Sequence, residues 1–151
     1  MSVRKKIHDP IAAQLTSMET FTMVDMWKAQ LTPSKNSFKA GFPAAFISIG
    51  NIAWEDGINN AKEGSVTVNV YLFFDKYGDT FETAVDKEES FSIMETMEAA
   101  SEKIHWLEDE VFSEITQTAE VDLTERYGRP AYMLSFSTLV YKQIKPTVHV
   151  Y

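Results

Sequence analysis

The residues nearest to chemistry in this chain are Trp54, Glu55 and Asp56, an aromatic ring beside two carboxylates at what reads as the end of a strand. Paired carboxylates divide acid and base roles when burial drives their pKa values apart. Here Gly57-Ile58-Asn59-Asn60 follows at once, a composition that makes a solvated hairpin, so a turn is expected and not a catalytic cleft. His8, His105 and His149 stand far apart and form no H-E-x-x-H pair or other ligand spacing, whereas a zinc site takes about four ligands. Asp75 and Asp79 in "DKYGDT" lack the alternating acidic pattern and closing Glu of a calcium loop. No G-x-S-x-G elbow and no phosphate-cradling glycine motif occurs. The expectation is a protein with no catalytic residues, no metal and no cofactor: not an enzyme.

The elements that would carry these residues follow from hydrophobic period. Ile7, Ile11, Leu15 and Met18 recur at helical spacing over Val3 to Met18. Pro10 is best tolerated in a first turn, so a regular helix starting near Asp9 is expected. "TFTMVDMWKAQL" alternates in a stretch rich in β-formers, and predicts a strand. "FPAAFISIGNIAW" is a second strand, "EDGINNAKEG" a hairpin tip, and Ser65 to Phe74 the returning strand. In the returning strand Val66, Val68, Val70, Leu72 and Phe74 share one side. The other side changes from polar Thr67 and Asn69 to aromatic Tyr71 and Phe73.

Phe91, Met94, Met97, Ser101, Ile104, Leu107 and Val111 predict an amphipathic helix over Glu88 to Phe112, a candidate cover for Tyr71 and Phe73. The opposite side would meet the N-terminal helix or a neighbouring subunit. "ITQTAEVDLTERY" and "PAYMLSFSTLVYKQI" read as two closing strands turned by Gly128-Arg129-Pro130. The order helix, three strands, long helix, two strands indicates an α+β fold with an antiparallel β-sheet of four or five strands. One domain over residues 1–145 and a short tail, 146–151, are expected.

The totals are those of an ordinary globular domain: 151 residues, 44% apolar and 24% charged. Ten Phe, six Tyr and three Trp supply aromatic surface for a core or for protein contacts. The absence of cysteine excludes disulfides and thiolate chemistry. A net charge of −8 argues against affinity for nucleic-acid phosphates. No apolar leader follows the basic start, so no signal peptide is expected. No apolar run approaches the roughly 20 residues of a membrane span.

The central stretch, "FPAAFISIGNIAWEDG", a polar loop and "GSVTVNVYLFFDKYGDT", resembles the tail-terminator (tail-completion) proteins of tailed bacteriophages, above all those of phages and prophages of Bacteroidetes hosts. The resemblance rests on Phe42-Pro43-Ala44, Ile47 to Ile49, Trp54 to Asp56, Gly64 to Val70, the helix around Phe91 to Val111 and the strand from Tyr132 to Tyr141. It covers about residues 7–141. It implies a virion structural protein of the neck: a homo-oligomeric ring, usually a hexamer, that caps the tail tube and joins it to the head connector. DNA would pass through the lumen without sequence-specific binding, with no membrane contact, and assembly would take place in the bacterial host cytoplasm. The family brings no catalytic residues. The extension "KPTVHVY" and the long acidic loop from Asp75 to Glu89 leave open another ring of the portal–tail assembly. A non-viral monomeric binding module also stays open.

Within that frame, Trp54, Glu55, Asp56, Tyr77, Phe81, Val148, Val150 and Tyr151 are the expected subunit or partner contacts. The tail alternates, so Val148 and Val150 would dock on a neighbour's sheet edge while His149 and Tyr151 face away. The acidic loops from Glu55 to Glu63 and from Asp75 to Glu89 are candidate lumen-facing elements.

Overall fold

Residues 2–32, 41–75 and 87–144 are described by the computed structural model. Its elements run α1 (Val3–Ser17), β1 (Met23–Met26), β2 (Ala44–Asp56), β3 (Ala61–Phe73), α2 (Lys87–Ile104), β4 (Thr116–Asp122), α3 (Thr124–Tyr127) and β5 (Ala131–Gln143). This is an α+β fold on one sheet of five strands in the order β1-β2-β3-β5-β4.

The helix α1 begins earlier than Pro10 suggested. Ser2 caps it by accepting from the Lys5 amide, and Pro10 sits inside it. The ring forfeits one backbone bond there, but the buried stripe of Val3, Ile7, Ile11 and Leu15 runs through the proline without a break. Each of those side chains contributes roughly 1.5–3 kcal/mol on full burial, which together outweighs a proline penalty of about 3 kcal/mol.

The strands β2 to β5 pair antiparallel, as expected, and β3 matches β5 residue for residue from Ala61↔Gln143 to Phe73↔Ala131. The exception is β1, which is short and pairs parallel to β2 from Met23↔Ala44 to Met26↔Ile47. The sheet is therefore mixed. The long connection from Met26 to Ala44 is what permits this, because a parallel return needs a crossover of about a dozen residues or more. The β2–β3 register shifts between Ile49 and Ile52, so Gly50 and Asn51 together face Thr67. A side chain at Gly50 would stand 3.1 Å from the Thr67 carbonyl, which is why the bulge uses glycine there.

Both long helices lie on one face of the sheet. Ala45, Ile47, Val68, Val70, Leu72, Phe74, Leu134 and Phe136 meet the α1 stripe and Ile93, Met97, Ala100 and Ile104 of α2 in one core. The stripe expected on α2 holds at Met97, Ser101 and Ile104, which are buried, but its first turns are displaced: Ile93 is buried, while Phe91 and Met94 are exposed. α2 also stops at Ile104, not Phe112. Trp106 takes a left-handed φ of 70°, and residues 109–113 then run beside β5, with Ser113 donating to the Leu139 carbonyl and Tyr141 to that of Val111.

Tyr71 and Phe73 are covered by neither helix. They belong to a second, smaller core on the opposite face, with Leu31, Ala44, Phe46, Tyr127 and Ala131. Trp27, placed by its amide bond to the Ile47 carbonyl, stacks on Tyr71 at 4.5 Å and on Phe73 at 5.9 Å. From the other side Tyr127 meets Phe73 edge-on at 5.0 Å. The stretch expected as a strand up to Tyr127 bends instead at Leu123 into α3, and this bend delivers Tyr127.

Candidate subunit and partner contacts

The hairpin of β2 and β3 runs on past both cores. Its turn is set by Asn59 and Asn60, both left-handed at φ 57° and 65°, with Ala61 donating to the Ile58 carbonyl at 3.1 Å. That is the primed turn whose twist matches a two-residue hairpin, and asparagine tolerates it well. Gly57 closes the next rung by donating to the Ala61 carbonyl at 2.8 Å, and Gln143 reaches the Asn59 carbonyl. β5 supports the hairpin along its whole length, so the tip is a rigid finger, not a loose loop. Ile58 stands at its end, 82% exposed, with half-exposed Ile144 close to Asn60.

Of the expected contact residues, Trp54, Glu55 and Asp56 are on this finger. Trp54 lies on the helix side of the sheet, partly buried against the main core, with the Lys142 ammonium 4.2 Å from its ring centre. Glu55 points to the other side, opposite Glu63. Asp56 ion-pairs with Lys62. Consecutive strand residues face opposite ways, so the two carboxylates share no cleft. Tyr77, Phe81, Val148, Val150 and Tyr151 lie outside the described residues, as do Asp79 and His149.

Among the described residues no group of three His, Asp or Glu is placed to hold a metal ion. Nor is any helix among them long and apolar enough to cross a membrane. His8 has Nδ1 3.3 Å from an Asp9 carboxylate oxygen, and its Nε2 is buried without a partner. The carboxyl of Asp9 is held below its ordinary value, first by the hydrogen bond from Lys5 and then by that from His8. His105 stacks on Trp106 at 4.4 Å. Burial pushes the Tyr71 phenol above its ordinary value, with Tyr127 adding to the effect.

Three features had no distinct signal in the sequence. The first is a groove of about 650 Å³ between α1 and the β1–β2 edge. Met26, Trp27, Ile47 and Ile49 make its apolar walls, and Arg4 and Lys5 its basic rim. It forms because β1 ends beside Ile47, leaving the outer edge of β2 from Ser48 onward with no neighbouring strand among the described residues. Arg4 partly fills that gap by donating to the Ile49 carbonyl at 2.7 Å. The second is the half of the sheet face beyond the small core, which carries Thr67, Asn69, Ser135 and Ser137 and then exposed Leu139 and Tyr141. The third is Arg129, whose guanidinium lies 3.9 Å over the Phe42 ring and donates to the Phe74 carbonyl, tying the β5 turn to the start of β2.

Together these define an α+β protein that exposes apolar side chains at a finger tip, a groove and a half-bare sheet face, as well as at Phe91, Met94 and Trp106. The chain matches no described protein family and no curated protein.

Proposed function

We infer that the protein is a ring-forming structural component of the head–tail junction of a tailed bacteriophage, the ring that ends the tail tube and joins it to the head connector. The observation that carries this reading is the projecting finger with Ile58 at its tip, in a molecule whose sheet ends at β1 and β4 with no further strand among the described residues. Free edges and exposed aliphatic tips invite aggregation unless something occupies them. Successive subunits of a ring occupy them in turn, since each offers one face and receives another. The collinear order of elements around the Phe42-Pro43-Ala44 start and the finger supports the same reading, because it is the order the tail-terminator resemblance leads one to expect.

The charge distribution fits a passage for DNA. Lys103 is the one Lys or Arg between positions 88 and 125, a stretch rich in Glu and Asp. An acidic wall repels phosphates and lets a duplex slide without sticking. Size-exclusion chromatography with light scattering, and negative-stain microscopy of the concentrated protein, test the reading. The expected result is an annular particle of several copies with a central opening. A particle that stays monomeric at the highest soluble concentration and in the presence of tail tubes overturns it.

A further inference from the structure

We propose that the finger tip of one copy, led by Ile58, seats in the groove between α1 and the β1–β2 edge of a second copy. This rests on the ring reading and names the contact that closes the ring. Three observations converge on it. The tip presents an aliphatic side chain, Ile58, 82% exposed at the end of a hairpin paired up to Asp56↔Lys62 and backed by β5. The groove has room for it, about 650 Å³, and apolar walls in Met26, Ile47 and Ile49. The charges around the two are opposite. The finger carries Glu55, Asp56 and Glu63 against Lys62, and the groove rim carries Arg4 and Lys5 against Asp9.

An apolar tip on one part of a molecule and a fitting hollow on another make a heterologous contact, which repeats head to tail until the rotation closes. The outer edge of β2 from Ser48 onward has no neighbouring strand among the described residues and borders the groove, so that apart from the Ile49 carbonyl it offers backbone groups to whatever enters. Opposed charge at the rim steers the approach and sets its orientation, while the buried tip holds it. Arg4 already contacts the Ile49 carbonyl within the protomer, so it is fixed in place before the partner arrives.

The chain has no cysteine, which makes disulfide trapping unambiguous. Ile58→Cys and Met26→Cys are made in separate preparations, mixed and oxidised. A covalent pair is expected in the mixture and not in either variant alone. The double variant carries both halves and is expected to give a ladder that ends at the closed ring. Separately, Ile58→Asp is expected to weaken self-association by at least about tenfold, as loss of a central anchor does, with an unchanged melting temperature. Raised salt is expected to slow assembly. Tip-to-tip cross-linking of Ile58→Cys alone overturns the proposal. So does an annular wild-type particle that gives no mixed cross-link and survives Ile58→Asp, which would leave the ring reading standing. A wild-type protein that never oligomerises removes both.

Discussion

Trp27 holds the second core together, and replacing it by alanine measures how much that core contributes. A fully buried tryptophan cut to alanine costs about 3–5 kcal/mol. Trp27 keeps part of its surface in water, so the burial part falls to roughly two-thirds of that. Its stacking on Tyr71 at 4.5 Å, with Phe46 tilted at 5.7 Å, adds contacts worth about 0.5–1.5 kcal/mol beyond area. The expected loss for Trp27→Ala is therefore about 2.5–5 kcal/mol. For a chain of this length that lowers the melting temperature by about 5–20 °C.

Trp106 is the control. It is 62% exposed and sits at a φ of 70°, where a bulky side chain is strained. Trp106→Gly relieves that strain and is expected to leave stability unchanged or raise it by up to about 1 kcal/mol. Urea unfolding followed by far-UV circular dichroism, at concentrations where the protein is monomeric, reads both. If Trp27→Ala costs less than about 1 kcal/mol, or if Trp106→Gly costs as much as Trp27→Ala, the assignment of the second core to Trp27 is wrong.

Gly64 faces Trp54 across the hairpin, and a Cβ there would stand 2.7 Å from Ile52 Cγ2 and 3.0 Å from Trp54 Cε3. Gly64→Ala is expected to cost about 1–3 kcal/mol in urea unfolding, because β-branched Ile52 has little freedom to move aside. The Tyr71 phenol is raised above 10.0 by burial, so the folded state keeps that proton longer than the unfolded chain does. Its contribution is complete below about pH 10 and is lost as pH rises through the raised folded value. Tyr71→Phe should flatten the alkaline fall in melting temperature, and an equally steep fall in the variant counts against this. Deleting Thr147 to Tyr151 is expected to weaken assembly and leave the melting temperature unchanged, as read by native mass spectrometry and thermal unfolding.

Much of the fold was legible where one pattern dominated. Ile7, Ile11 and Leu15 mark the buried face of α1, and Val66 to Leu72 that of β3, because each stripe has a single strong period. On α2 two stripes compete, and the heavier residues, Phe91 and Met94, mislead. The buried stripe uses small and β-branched side chains, Ser90, Ile93 and Ala100, that fit close against α1 and the sheet. The parallel pairing of β1 had no local signal, since direction depends on the path of the chain between Met26 and Ala44. The end of α2 was hidden because Val111 continues the helical spacing, yet it is buried for another reason, as part of a strand-like run beside β5. Of the contact residues, the turn-rich tip was readable from Asn59 and Asn60. The groove was not, because Arg4, Met26 and Ile49 meet only after three separate elements have packed.

The extra residue at Gly50 and Asn51 acts as an odd–even switch for the finger. Upstream of it Ala45, Ile47 and Ile49 look toward the helices; downstream the same outlook passes to Ile52 and Trp54. Removing one of the two would close the bulge and keep Ile52 and Trp54 toward the helices, because Ile49, the remaining residue and Ile52 would alternate regularly against Val68, Thr67 and Val66. Removing both would set Ile52 directly after Ile49 and invert every side chain from there to the tip, turning the Trp54 indole out to water and driving the Glu55 carboxylate under the helices. Natural variants of this chain should therefore tolerate the loss of one residue here and not of two.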